Sequence, residues 1–211
     1  MRLILVRHGS TANNAERRFT GQSDAPLSPL GLRQAQALAT ALAAEHFDLI
    51  VSSDLSRARA TAELVVAHHH APLCFDPDLR EVAVGTWEGR DYEEVAAEDG
   101  ATLARWEANS AAIAPPGGET IPRLRDRAAE AIARCEANYP AGRVLCVTHG
   151  ALIGALLCHL LALPLRHRIK FRYDNAGITE VDLGAARGML VRLNDTSHLR
   201  GISGAETSQV M

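Results

Sequence analysis

Two short apolar runs, each closed by the same dipeptide, constrain this chain more than any other feature. Leu3-Ile4-Leu5-Val6 stops at Arg7-His8-Gly9, and Val144-Leu145-Cys146-Val147 stops at Thr148-His149-Gly150. Apolar runs without alternation read as strands buried on both faces, the kind that make up parallel sheets. Helical patterns lie between them. Ser28-Pro29 is an N-cap followed by Pro at the first helical position, and Leu30, Ala35, Leu38 and Leu42 carry a helix to about His46. Leu49 to Val51 is a second strand, Ser53 or Asp54 is placed to cap a helix through Val66, and Pro72 to Phe75 is a short third strand.

The middle is less regular. Asp76 to Gly89 reads as loop, Asp91 to Ser110 as one or two helices, and Pro115-Pro116-Gly117-Gly118 as a sharp break, so about 83–118 is expected to be a helical cap insertion. A helix from Thr120 or Ile121 to Tyr139 sets Leu124, Ala128, Ala131, Ile132 and Cys135 on one face. Ile178 to Leu183 and Met189 to Leu193 flank Gly184 to Gly188 as a hairpin, and no internal repeat is visible. The expected fold class is α/β, a three-layer α/β/α arrangement on a mostly parallel sheet with the hairpin as an antiparallel edge. One domain is expected over 1–198 and a mobile tail over 199–211. Ligands of such sheets lie beyond the carboxyl ends of the strands, where both His-Gly pairs fall.

Composition bounds the partners. The 211 residues are 47% hydrophobic and 22% charged, enough to build a core without a disulfide or metal staple. A net charge of -3 offers no overall attraction to nucleic acid or anionic lipid, so neither is expected as a partner. Only Leu3 to Val6 separate Met1-Arg2 from Arg7, too short for a secretory signal, and the expected location is cytoplasmic. Ala151 to Leu163 is too short to span a bilayer and reads as a buried helix. Cys74, Cys135, Cys146 and Cys158 form no CxxC pair or zinc spacing and read as buried reduced thiols.

His8 and His149 could face one crevice, with Arg7 beside the first and Arg57 one turn into the helix after the second strand. Periodicity alone does not choose between Arg57 and Arg59. A phosphoryl group suits such a cluster in a chain of net negative charge, because its oxygens call for permanently charged guanidinium forks. Read singly, His8 is equally a loop histidine bonded to a carbonyl, Arg57 a surface ion pair and Glu81 a solvated charge.

Together the segments resemble the histidine phosphatase superfamily, the phosphoglycerate mutase-like clan. Leu5-Val6-Arg7-His8-Gly9 with Thr11 and Asn14, then Arg18-Phe19-Thr20-Gly21 and Asp24 to Ser28, is similar to the family's opening signature. Ser52 to Ala58 with Thr61-Ala62-Glu63, Leu79-Arg80-Glu81, Gly117 to Thr120 and Val147 to Gly150 follow in the family's order. The resemblance implies a phosphorylated His8, a proton donor in Glu81, and a phosphate pocket of Arg7, Arg57 and His149. It gives Asn14, Thr20 and Gly21 substrate contacts, with Gln22 adjacent and Gly150 following His149. Ser10 departs from the pattern, since many members carry Glu or Gln there.

The implied activity is metal-independent hydrolysis of small phosphorylated metabolites, with no cofactor and with a homodimer allowed. Val82 to Arg90 resembles the Gly-x-Trp-Glu-Gly turn of the phosphatase branch, which includes α-ribazole phosphatase-like members, whereas mutases carry a longer insert. A bisphosphoglycerate-dependent mutase, a phosphoprotein-directed phosphatase and a phosphate-binding module are the alternatives. His68-His69-His70 is expected to be a solvated helix end and not a metal site. Arg17-Arg18 is read as a solvated pair or an aid to anion capture, and Trp87 and Trp106 as cap packing, with Trp87 the better candidate to line the pocket.

Overall fold

Successive residues of the first strand bury their side chains in two different layers. The computed structural model describes residues 1–15, 18–184 and 188–202. In β1 (Arg2–Arg7), Leu3 and Leu5 enter one core cluster while Ile4 and Val6 enter the other, all four without solvent exposure. A strand buried on both faces needs helices on both, and each such side chain contributes about 1.5–3 kcal/mol of transfer free energy. On one face lie α2 (Pro29–Leu42) and α3 (Ser56–Val66); on the other lie α5 (Ile121–Asn138) and α6 (Gly150–Leu160). A single turn, α1 (Ala12–Ala15), follows the end of β1.

With β2 (Leu49–Ser52), β3 (Leu73–Phe75), β4 (Arg143–Thr148), β5 (Ile178–Asp182) and β6 (Met189–Asp195), the sheet runs in the order β3-β2-β4-β1-β5-β6. The first four are parallel, and β5 and β6 add the antiparallel edge. This is the three-layer arrangement expected. Leu199 is buried and Ile202 packs against the same cluster, so packing continues past position 198. Arg17, the 185–187 part of the hairpin turn and residues 203–211 of the expected tail lie outside the described residues. Among the described residues, no helix is long and apolar enough to cross a membrane.

Several local expectations are corrected. Ser28 caps α2 by accepting the Gly31 N–H at 3.0 Å, but the helix ends at Leu42 and not at His46. There the Ala43 N–H bonds the Thr40 carbonyl and the Glu45 N–H bonds the Leu42 carbonyl, tightening the last turn and returning Phe47 to the core. Neither Ser53 nor Asp54 caps α3. Leu55 holds the N-cap position, and the carboxylate of Asp24 reaches in from a distant loop to accept the Ser56 N–H at 2.8 Å. Cys74 is exposed, because β3 is an edge strand, while the other three thiols are buried.

The segment expected as loop, Asp76 to Gly89, contains two 3-10 turns, Pro77–Leu79 and Gly85–Trp87. In the cap, α4 (Tyr92–Asn109) starts with a reciprocal Asp91/Glu94 capping box and is broken at Asp99, whose backbone is not helical. Asp99 there accepts the Trp87 indole N–H at 3.0 Å. Phe19, Trp87 and Trp106 stack tilted or edge-on at centroid distances of 5.5–6.3 Å, tying the cap to the loop after β1.

Candidate active site

Parallel register brings the two His-Gly pairs to one place. Arg7 of β1 pairs with Thr148 of β4, so His8 and His149 leave the sheet at the same level, on adjacent strands. The His8 N–H donates to the Thr148 carbonyl at 2.9 Å, and the two imidazole centroids lie 5.0 Å apart. His8 Nδ1 lies 2.7 Å from the Gly9 carbonyl, which can only accept, so Nδ1 carries the proton and Nε2 of the neutral ring has a free lone pair. Burial, then the charges of Arg57 and Arg7, push the His8 pKa well below its ordinary value. His149, fully buried, is pushed down by burial and then by Arg57, His8 and Arg7. Its Nε2 meets Ser53 Oγ at 2.9 Å, while its buried Nδ1 has no partner among the described residues.

Both predicted arginines are inside. Arg57, only 1% exposed, donates to the carbonyls of Ser23 and Gly21, both at 2.8 Å. Burial lowers its pKa to about 10, so it stays charged at neutral pH. Arg59 is the one turned outward, stacked 3.8 Å over the Phe75 ring. Arg7 is buried and donates to the Tyr173 carbonyl at 2.7 Å. Two buried cations stand beside two neutral imidazoles, and both guanidiniums interact with the charge of Glu81.

Glu81 closes the cluster from the loop after the first 3-10 turn. One carboxylate oxygen accepts the Val82 N–H at 2.9 Å and the other the Ala151 N–H at 3.2 Å, which sets the group at the N-terminus of α6. The loop carrying it is clamped by Arg127, which donates to the carbonyls of Asp78, Arg80 and Glu81 at 2.6–2.8 Å and pairs with buried Glu119. Glu119 also accepts the Ala83 N–H at 2.9 Å.

The remaining expected positions divide. Gly21 and Gln22 lie at the site but support other groups. The Gly21 carbonyl holds Arg57, and Gln22 donates to the Glu81 carbonyl at 3.1 Å. Asn14 uses its side-chain oxygen to hold Thr11, leaving the amide nitrogen as the group it could offer a ligand. Thr20 accepts from Ser23 through its carbonyl and turns its hydroxyl to the Arg18 carbonyl. Gly150 opens α6. The room at Gly9 is taken by α2 and not by a ligand, since a Cβ there would meet the Gly31 carbonyl oxygen at 2.4 Å. Ser10 is buried under that helix, bonded to Gln34. Trp87 is wholly enclosed, and Trp106 is the tryptophan that lines a cavity.

Outside the cluster, Arg18 donates to the Gly89 carbonyl. His68 and His70 are exposed, and His69 packs against Phe47. Among the described residues no group of three or more His, Cys, Asp or Glu is arranged to hold a metal. Sequence reasoning missed the supports: Ser53 on His149, Arg127 on Glu81, Asn175 donating to the His8 carbonyl at 2.9 Å, and Thr61 on the Gly9 N–H. Ser53 and Thr61 had a signal as members of ordered sequence blocks, as did Glu119, whereas Arg127 and Asn175 had none.

The chain is similar to known proteins along most of its length. Relatives named probable phosphoglycerate mutase GpmB, for example from Escherichia coli O1:K1, are 35% identical over 204 residues, covering 94% of this chain and 95% of theirs. The α-ribazole phosphatase of Shigella flexneri superposes with a TM-score of 0.86 at 32% identity, over 92% of this chain and 96% of that one. A mycobacterial glucosyl-3-phosphoglycerate phosphatase bound to VO3 gives 0.84 at 34% identity, over 92% and 99%. The profile of the histidine phosphatase superfamily (branch 1) matches residues 3–196, and the chain belongs to that superfamily.

Proposed function

We propose that this chain is a phosphomonoesterase acting on small phosphorylated metabolites through a phosphohistidine at His8. The observation that carries the reading is the hydrogen bond from His8 Nδ1 to the Gly9 carbonyl, beside two buried guanidiniums. It leaves the Nε2 lone pair available to attack phosphorus while Arg7, Arg57 and His149 hold the phosphoryl oxygens. The N–P bond forms as the P–O bond to the alcohol breaks, and Glu81 delivers a proton to the departing oxygen. The resulting carboxylate then takes a proton from water as its oxygen attacks phosphorus, releasing phosphate and restoring His8. Phosphoryl transfer passes through a loose transition state, so positioned cations supply most of the stabilisation, and neither metal nor cofactor is required.

The second reading, a bisphosphate-dependent phosphoglycerate mutase, is favoured by the names of the relatives at 35% identity. The two differ in whether water reaches the phosphohistidine, and the short turn after Glu81 supports hydrolysis. The test supplies 3-phosphoglycerate with and without 2,3-bisphosphoglycerate and follows 2-phosphoglycerate and free phosphate. Free phosphate as the main product is expected, with label trapped on His8 and lost in His8→Ala. Efficient isomerisation with little phosphate released establishes the mutase instead.

A further inference from the structure

The sheet supports the strand end that carries His8 unequally on its two sides. β1 pairs with β4 as far as Arg7 opposite Thr148, but with β5 it stops one residue earlier, at Val6 opposite Ile178. Past that point a turn takes the place of the ladder. The Ala176 N–H donates to the Arg7 carbonyl at 2.9 Å, and the Asn175 side-chain amide donates to the His8 carbonyl at 2.9 Å. The Tyr173 carbonyl accepts from the Arg7 guanidinium at 2.7 Å. Where His8 and Arg7 sit therefore follows from where residues 173–176 sit.

That turn is held from the far edge of the sheet. The Asn194 side-chain oxygen accepts the Asp174 N–H at 2.7 Å, and its nitrogen donates to the Asp174 carboxylate at 2.9 Å. A primary amide offers an acceptor and a donor at once, which is what this backbone N–H and this carboxylate require. Asn194 reaches them because β6 is irregular there. Between the pairs Ile178 with Asp195 and Glu180 with Arg192, β5 contributes Thr179 alone and β6 contributes Leu193 and Asn194. Asn194 adopts a left-handed backbone with φ of 48°, which Asn tolerates better than most residues, and gives its N–H to the Thr179 hydroxyl at 3.1 Å. Gly177 leaves the necessary room, since a Cβ there would lie 2.4 Å from the Asn194 side-chain oxygen. Without the amide, the Asp174 N–H loses its acceptor and the carboxylate is left to exposed Arg172, which bonds it at 2.8 Å.

We propose that Asn194, on the edge strand, is a positioning residue for His8 and Arg7 and acts through Asp174. The roles it serves are those of the phosphatase reading above, on which the proposal rests.

The test takes two readouts on each variant: turnover of p-nitrophenyl phosphate, and the Kd of inorganic phosphate by calorimetry, which needs no catalysis. Asn194→Gly permits the left-handed backbone and removes both bonds. It is expected to lower kcat about tenfold and to weaken phosphate about fivefold. Asn194→Asp, which sets two carboxylates together, should lose at least as much. Joining it to Asp174→Asn restores both bonds with the donor on the other side, and should recover most of the turnover. Leu190→Ala, which removes a partly buried side chain from the same strand without touching Asp174, should lower Tm and leave both readouts unchanged. Should Asn194→Gly fail to fold, Gly177→Ala, which crowds the amide and leaves Asn194 in place, should give the same two losses. Unchanged kcat and phosphate affinity in Asn194→Gly, equal losses in Leu190→Ala, or no recovery in the double variant overturns the assignment. Wild-type protein that binds phosphate but releases none from p-nitrophenyl phosphate overturns the phosphatase reading, and weaker phosphate binding by Asn194→Gly then supports the positioning role by itself. No phosphate binding by the wild type overturns both.

Discussion

Ser53 Oγ lies 2.9 Å from Nε2 of His149, so a residue just past the end of β2 holds the ring presented at the end of β4. Without that bond the buried imidazole can turn in its pocket. Ser53→Ala is expected to lower kcat/KM about fivefold, in line with one hydrogen bond of about 1 kcal/mol, mainly through kcat. Ser53→Thr should recover part of the loss, which steady-state kinetics on p-nitrophenyl phosphate would show. An effect on KM alone would contradict a role in positioning His149.

The two buried histidines should make the fold sensitive to mild acid. Above pH 6.5 both rings are neutral folded and unfolded, so neither affects stability. As pH falls below 6.5 the unfolded chain binds protons that the folded one refuses, because both folded pKa values lie well below the ordinary one. Each ring then removes up to about 1.4 kcal/mol of stability per pH unit until its folded pKa is reached. Urea unfolding between pH 6.5 and 5 should give a shallower slope for His8→Asn, by about one proton. An unchanged slope would contradict the account.

Arg127 and Glu119 form a largely buried pair, 16% and 8% exposed at the side chains, and the arginine also satisfies three carbonyls of the Glu81 loop. Arg127→Met strands all of these acceptors. A loss of roughly 3 kcal/mol follows, equivalent to a Tm fall of roughly 6–12 °C for a chain of this size. Adding Glu119→Gln should restore part of the stability, because it removes the unpaired charge. Calorimetric scans of the single and double variants decide this.

Glu81→Gln keeps the size of the side chain and one of the two N–H bonds it accepts, but cannot donate an acidic proton. Loss of roughly 10²–10⁴ in kcat is expected on glycerol 3-phosphate, whose alkoxide leaves poorly, and under tenfold on p-nitrophenyl phosphate. Equal losses would remove Glu81 from the role of acid. Chelator should leave wild-type turnover unchanged on both substrates, since the charges invoked belong to arginines.

The apolar runs at Leu3 to Val6 and Val144 to Val147, the Ser28-Pro29 helix start and the late hairpin were legible because local pattern and burial agree there. The ordered blocks also named His8, Arg7, Arg57, Glu81 and His149, the groups that converge in space. What local pattern could not carry was every contact made by chain brought from far away. Nothing near Ser56 announces that Asp24 will cap its helix, and nothing near Ser53 tells that its hydroxyl serves a histidine 96 residues on. Arg57 and Arg59 are equivalent by spacing, and only the packing of α3 on the sheet buries one and stacks the other on Phe75. The choice between Trp87 and Trp106 was likewise tertiary, because the break at Asp99 lets Asp99 take the first indole N–H and leaves the second beside the cavity. Sequence determined which segments could be buried and which side chains carry chemistry, through periodicity and residue type. Tertiary structure alone decided which polar groups are left without partners, because that depends on desolvation and on distances between residues remote in the chain.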